Sequence, residues 1–205
     1  MERRKLVLSS GNKHKIEEIK HILSDLPIEV LSKNDVGLKD LEVEEDGKTL
    51  EENSLKKAMA IAAKVDYMVM ADDSGLFVEA LDGEPGVYSS RYAGEEGNDA
   101  KNIEKLLRKM QNISQEKRQA SFIAVITLIS EDKEVFTIKG ECKGTIALEP
   151  RYGYNFGYNP VFIPEGYSET FAEMGEEEKN KISHRGIAVN KMKEVIKEIL
   201  GVNLV

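Results

Sequence analysis

Asp72 and Asp73 are adjacent carboxylates that follow the apolar run Tyr67-Met68-Val69-Met70-Ala71 and precede Ser74-Gly75. Open sheets place their sites beyond the ends of strands, and neighbouring strand residues point to opposite sides. One of the two carboxylates is therefore expected to face a site while the other anchors a turn at Gly75. A carboxylate so placed suits Mg²⁺, a hard cation that keeps several waters when bound. A second stretch, Leu6–Lys15, reads LVLSSGNKHK: a strand, a turn, then a helix with Asn12 as its N-cap. Lys13, His14 and Lys15 fall in the first helical turn, where the helix macrodipole disfavours cations. An anion seated on the N–H groups of this turn would resolve that conflict. The spacing is not that of a Walker A loop, which ends a longer Gly-rich turn in Gly-Lys-Ser/Thr.

Two further groups belong with these. Phe156-Gly157-Tyr158-Asn159-Pro160 is a glycine-bent aromatic stretch, and aromatic faces stack on nucleobases. Ser183-His184-Arg185-Gly186 opens the final helix with strong donors, Ser183 standing as a candidate N-cap, and Lys179 lies upstream of it. A phosphate cradle, a metal carboxylate, an aromatic slot and forked donors are together what a nucleoside triphosphate requires. The chain's one cysteine, Cys142, lies in a strand-like stretch and is expected to be a small core residue rather than a nucleophile. No Cys/His cluster has zinc spacing.

The elements that must position these residues follow from periodicity. Residues 5–10 read as a buried strand, and Ile16, Ile19, Ile22 and Leu23 form a helical stripe ended by Pro27. Glu29-Val30-Leu31 is a possible short strand. Thr49-Leu50-Glu51-Glu52 matches a capping box. It starts a helix to about Lys64 with Leu55, Ala58, Met59 and Ala62 on the expected buried stripe, and Asn53, Lys57 and Lys64 on another face. Asn98–Met110 is amphipathic. Ala120–Ile129 is a strand, followed by a hairpin turn into Val135–Lys139 and a further antiparallel strand at Glu141–Leu148. Ile187–Leu200 closes the chain as a helix. Helices mixed with parallel-type and hairpin strands predict an α/β or α+β chain with a mixed sheet.

The chain has 205 residues, long enough for one large domain or two small lobes, and we expect a single domain over 1–205. Its formal net charge of −8, from 37 acids against 29 bases, argues against a general nucleic-acid or membrane-surface binder. No apolar run approaches a membrane span. The opening Met1-Glu2-Arg3-Arg4-Lys5 is too short, and the residues after it too polar, for a signal peptide, so a cytoplasmic protein is expected.

The ordered motifs Ser-Gly-Asn-x-x-Lys, Glu-Glu-x-Gly-x-Thr-x-x-Glu-Asn, Ala-Asp-Asp-Ser-Gly-Leu, Pro-Gly-Val-Tyr-Ser-x-Arg-Tyr, Phe-Gly-Tyr and Ser-His-Arg resemble those of the inosine triphosphate pyrophosphatase family, over residues 6 to about 190. The resemblance implies hydrolysis of non-standard purine nucleoside triphosphates (ITP, dITP and XTP) to the monophosphate and pyrophosphate. It implies a long central sheet flanked by helices, two lobes with an active-site cleft between them, Mg²⁺ as cofactor, and a homodimer. Position by position, Ser10, Gly11, Asn12, Lys13, His14 and Lys15 would form the triphosphate loop. Glu44 and Asp73 would bind the metal, with Asp73 also accepting a proton from the attacking water. Asn53, Lys57 and Ser74 would contact substrate. Phe156, Gly157, Tyr158, Asn159, Lys179, His184 and Arg185 would form the base-binding side. The chain departs from the family pattern in reading Asn155 and Asn159 where Gly and Asp are usual, and in carrying Lys13-His14 in the phosphate loop. Asn159 retains an acceptor but not the charge, which touches purine preference more than activity. Two other readings share these motifs: a related pyrophosphatase that removes other modified nucleotides, and a nucleotide sensor without turnover.

Overall fold

The computed structural model describes residues 3–153 and 156–202. Strand β1 (Arg4–Leu8) leads to helix α1 (Lys13–Ile22), strand β2 (Ile28–Ser32), helix α2 (Leu50–Ala62) and strand β3 (Met68–Val78). Two 3-10 turns, Glu79–Leu81 and Gly86–Arg91, precede helix α3 (Asp99–Lys109). Strands β4 (Gln119–Ile129), β5 (Val135–Ile146) and β6 (Phe162–Pro164) follow, then helices α4 (Glu176–Ile182) and α5 (His184–Leu200). The strands form one mixed sheet of order β2-β1-β3-β4-β5-β6. β1 runs parallel to β2 and to β3, pairing Leu6 with Val30 and with Met68, while β6 is antiparallel to β5. The mixed α/β class expected from the sequence is the one observed.

The chain divides into two compact units. The first comprises residues 1–73, 124–140 and 185–205. In its main core, Leu6, Leu8, Met68 and Met70 pack with Ile19, Leu23, Ala124, Ile126, Val189 and Met192. β1 is apolar at each of its last three positions because both faces of a central parallel strand are covered: Val7 and Val69 pack with Ala58 and Ile61 of α2. The second unit comprises residues 74–123 and 141–184. Its core gathers Leu76, Val78, Ile103, Leu106, Met110, Phe122, Ile146, Tyr158, Phe162 and Phe171. Cys142 belongs to this core, as expected of a lone strand cysteine.

Four details differ from or add to the sequence reading. Asp72-Asp73-Ser74-Gly75 is not a turn at a strand end but the middle of the eleven-residue β3. Gly75 is required by a close approach: a Cβ there would lie 2.4 Å from the carbonyl oxygen of Gly86. Residues 135–146 form one strand rather than two, its alternation running unbroken through Gly140. Ser183 closes α4 as its C-cap, with its backbone N–H donating to Lys179 O, a role added to its expected place directly ahead of the final helix, where its extended backbone precedes His184. In α2 the buried stripe is Leu50, Asn53, Ser54, Lys57, Ala58 and Ile61, while Met59 is 57% exposed. The polar face of this helix turns inward because its polar side chains have partners there.

Candidate functional site

In the first unit, Asn12 caps α1 as expected: its Oδ1 accepts from the Lys15 N–H at 3.2 Å. Ser10 Oγ accepts from the Asn12 N–H at 3.1 Å, tightening the turn. No acid lies in the first turn of α1, and Gly11, Asn12, Lys13 and His14 are exposed. The two lysines part company here. Lys15 Nζ lies 2.6 Å from Asp72 Oδ2, whereas Lys13 stands exposed at the helix start.

Asp72 therefore anchors no turn. It is buried, and besides Lys15 it receives Arg185 Nη2 at 3.4 Å, while Arg185 Nη1 donates to buried Glu18 at 2.6 Å. Burial would raise the Asp72 carboxyl, but the charges of Arg185 and Lys15 hold it well below the usual carboxylate range. The same pairing, with Asp72 and Glu18 outweighing burial, keeps the Arg185 guanidinium charged. The result is a dry chain of alternating charge, Glu18–Arg185–Asp72–Lys15, that ties α1, β3 and the start of α5 together.

Asp73 faces the other way, as the strand period requires. Its Oδ1 accepts from Lys57 Nζ at 2.7 Å, and Glu45 Oε1 lies 3.2 Å from the same ammonium. Helix α2 delivers Lys57, and three bonds fix that helix. Thr49 caps it through the Glu52 N–H, Ser54 Oγ donates to Ala71 O at 3.2 Å, and Ser9 Oγ donates to Lys57 O at 2.9 Å. The capping box is half formed: Glu52 accepts from the Lys48 N–H, one residue before the cap. Asn53 Oδ1 accepts from the Gly47 N–H at 2.8 Å, which brings the acidic loop onto α2. A Cβ at Gly47 would sit 2.4 Å from that oxygen.

The acid this loop sets against Asp73 and Lys57 is Glu45, while Glu44, the expected metal ligand, is exposed. The resemblance pointed to Glu44; the Gly47–Asn53 bond fixes where this acidic loop meets α2. Burial lifts the Asp73 carboxyl above its ordinary value despite Lys57 and Lys15, and the neighbouring Glu45 charge adds to the rise. For Glu45 burial is outweighed by Lys57, and its carboxyl is lowered. Asp73 Oδ2 is buried without a hydrogen-bond partner among the described residues. An orphaned carboxylate oxygen beside a second carboxylate suits a hard divalent cation. No group of three or more candidate ligand residues exists among the described residues, so water and substrate oxygens would complete the shell, as Mg²⁺ prefers.

In the second unit, Phe156 and Gly157 are half-buried and Tyr158 and Asn159 buried; Asn155 lies outside the described residues. Gly157 adopts φ +56°, and its N–H donates to Asp99 Oδ2 at 2.7 Å. Tyr158 packs in the core and donates its hydroxyl to Ser89 O at 2.8 Å, so its ring serves the fold. Asn159 Nδ2 is buried without a hydrogen-bond partner among the described residues. Lys179 and His184 are buried, and the His184 ring stacks on Phe122 with centroids 4.5 Å apart and planes 8° from parallel. Ser74, the first residue of this unit, is half-buried on β3. Sequence reasoning missed Glu18, Glu45, Asp72's ion pairs, Ser89 and Asp99. A Glu on the apolar stripe of α1, one residue before Ile19, was the available sign for Glu18.

A mixed α/β chain with a carboxylate pair, buried lysines and an anion-ready helix start defines a phosphate-handling class of protein. Residues 6–195 match the model of the Ham1 family. Relatives include the dITP/XTP pyrophosphatase of Clostridium perfringens (strain 13 / Type A), 48% identical over 96% of this chain and 99% of its own length. That of Bacillus subtilis (strain 168) is 43% identical over 93% and 96%. Among solved structures, the Staphylococcus aureus Ham1 protein superposes with a TM-score of 0.83 at 40% identity, covering 96% of this chain and all (100%) of that one. The Ham1 protein from Coxiella burnetii gives 0.85 at 38%, over 95% and 99%. The chain belongs to the Ham1 family.

Proposed function

We propose that this chain hydrolyses non-standard purine nucleoside triphosphates, dITP, ITP and XTP, to the monophosphate and pyrophosphate. The observation that carries the chemistry is Asp73: one oxygen held by Lys57, the other buried and unpartnered among the described residues, beside a second carboxylate. The substrate class is supported by the dITP/XTP pyrophosphatases to which the chain is similar along nearly its full length.

Phosphoryl transfer is mainly positioning and charge neutralisation, with little covalent work for the protein. Glu45 and Asp73 would hold a divalent cation, Mg²⁺ by their oxygen chemistry, and when bound it supplies Lewis-acid polarisation of phosphate oxygens. Lys57 keeps the two carboxylates at a fixed spacing. Asp73 also accepts a proton from water attacking the α-phosphorus. Pyrophosphate leaves, and no side-chain nucleophile is needed. Ser10, Gly11, Asn12, Lys13, His14 and Lys15 receive the triphosphate. Lys13 makes the direct contact, and Lys15 contributes its charge from its place on Asp72. Asn53 acts by setting the acidic loop.

On the base side we assign Phe156 as the stacking face, with Asn159, His184 and Lys179 as polar groups around it. Arg185, which the family resemblance assigns to the base, is held within the first unit by Asp72 and Glu18. A 6-oxo purine accepts hydrogen bonds that adenine's amine cannot, which would leave buried donors unpaired with ATP. The homodimer, the Mg²⁺ preference and a cytoplasmic setting belong to the same proposal. Among the described residues no helix is long and apolar enough to cross a membrane.

The test is pyrophosphate release from ITP, XTP, GTP and ATP with Mg²⁺. ITP and XTP should exceed ATP by at least about 100-fold in kcat/KM. Equal turnover of all four, or rapid turnover of modified pyrimidine nucleotides alone, would refute the assignment. Hydrolysis in ¹⁸O-water should label the monophosphate; label in pyrophosphate alone would exclude α-attack.

A further inference from the structure

Helix α3 carries a surplus acid. Its N-cap is Asn98, whose Oδ1 accepts from the Lys101 N–H at 3.2 Å, so the helix start is already satisfied. Asp99, the first helical residue, turns a carboxylate oxygen instead onto the N–H of Gly157, fifty-eight positions along the chain, at 2.7 Å. Gly157 presents that N–H because its φ of +56° lies in the left-handed region, and a Cβ there would meet nothing within 4 Å. The glycine is needed for its backbone, not for space.

A cavity of about 670 Å³, lined in part by Asp99, Ile103, Leu107, Tyr152, Gly157 and Pro160, lies between α3 and the loop around Gly157. Hydrogen bonds hold that loop: the Asn159 N–H donates to Phe156 O at 3.1 Å, and two longer-range contacts add to it. The Tyr158 hydroxyl is tied to Ser89 O, and Ser89 Oγ in turn accepts from the Leu76 N–H at 2.9 Å and donates to Gly86 O at 2.6 Å. That anchor secures the buried end of the loop. Asn102 of α3 holds the neighbouring segment by accepting from the Ala93 N–H and donating to Ser90 O. The other end of the loop rests on Asp99, whose bond, carrying a full charge, is of the stronger kind.

We propose that Asp99 is a positioning residue: its carboxylate clamps the Gly157 peptide and so sets the Phe156 face against the purine ring. The proposal rests on the assignment of Phe156 to the base side. Asp99 touches no reacting atom, so its loss should raise KM and leave kcat nearly unchanged.

The experiment compares Asp99→Ala, Asp99→Asn, Asn98→Ala and Phe156→Ala by steady-state kinetics with ITP and by thermal unfolding. Asp99→Ala is expected to raise KM about tenfold, the loss of one charge-assisted bond, with kcat within about twofold. Asp99→Asn keeps an acceptor for the Gly157 N–H and should restore most of the KM. Asn98→Ala removes the cap of the same helix, so it should lower Tm while leaving KM unchanged. If Phe156→Ala raises KM and Asp99→Ala does not, the clamp is wrong and the base assignment stands. If Phe156→Ala leaves KM unchanged, the base assignment fails and the clamp falls with it. A matching rise in KM for Asn98→Ala and Asp99→Ala, with no recovery in Asp99→Asn, would reduce Asp99 to a helix-stabilising residue and overturn the proposal.

Discussion

Asp72 and Asp73 show how far a single pair of residues can diverge. They share a residue type, a strand and burial, yet one carboxyl is driven down and the other up. The difference is Arg185, which pairs with Asp72 and not Asp73, and Glu45, which competes with Asp73 for Lys57. Two carboxylates whose environments push them apart are a recurring mark of divided roles, and here Asp72 organises while Asp73 is the one proposed to do chemistry. Arg185 makes the organising role measurable. Its replacement by Ala would take the counter-charge from buried Glu18 and one of the two from Asp72. We expect Arg185→Ala to lose about 3–5 kcal/mol of stability in urea unfolding, and to narrow the ratio of ITP to ATP turnover in the fraction that folds. Unchanged stability would show that the Glu18–Arg185–Asp72 chain does not carry the weight given to it.

Among the elements, β3 matters most. Eleven residues of strand carry Asp72, Asp73 and Ser74 without a break, and the only concession is Gly75. A side chain there would drive into the carbonyl of Gly86, at the start of the 3-10 turn whose Ser89 holds both Leu76 and Tyr158. Gly75→Ala should therefore cost about 1–3 kcal/mol, read as a lowered urea midpoint, and should raise KM for ITP by loosening the Tyr158 anchor. Helix α2 behaves differently. Its apolar residues recur well enough to suggest a buried stripe through Leu55 and Met59, yet the stripe that is buried runs through Asn53, Ser54 and Lys57. Hydrophobic periodicity assumes that polar side chains seek water. Here each has an internal partner: Gly47 for Asn53, Ala71 and Thr127 for Ser54, Asp73 and Glu45 for Lys57.

Over the whole molecule, each unit has its own core, and the chain passes from one unit to the other after Asp73, Ile123, Gly140 and His184. Two of these passages fall inside the motifs that first drew notice, Asp73-Ser74 and His184-Arg185. Cys142 offers a probe of the second core. Burial, with the Glu165 charge, pushes its thiol up to about 12, so below that pH it stays protonated and the thiolate that would react is scarce. Alkylation at about pH 8 should be at least about 100-fold slower than in the urea-unfolded chain, where an ordinary thiol ionises near about 8.5. Rapid native-state labelling would contradict this burial. Much was legible beforehand: the fold class, the Asn12 cap, the order of strand and helix around residues 4–23, and the family the motifs resemble. These are local matters of spacing, capping and residue type, which one stretch of chain decides for itself. What the sequence could not rank were alternatives of equal local merit: which of Lys13 and Lys15 is tied into the protein, where the acidic loop docks, and which face of α2 is buried. Those depend on partners far along the chain, Asn53 for the acidic loop, Asp72 for Lys15, Asp99 for Gly157. A charge buried with its counter-charge is stable and the same charge buried alone is not. Only the tertiary structure, which brings those partners within hydrogen-bond reach, could decide between them.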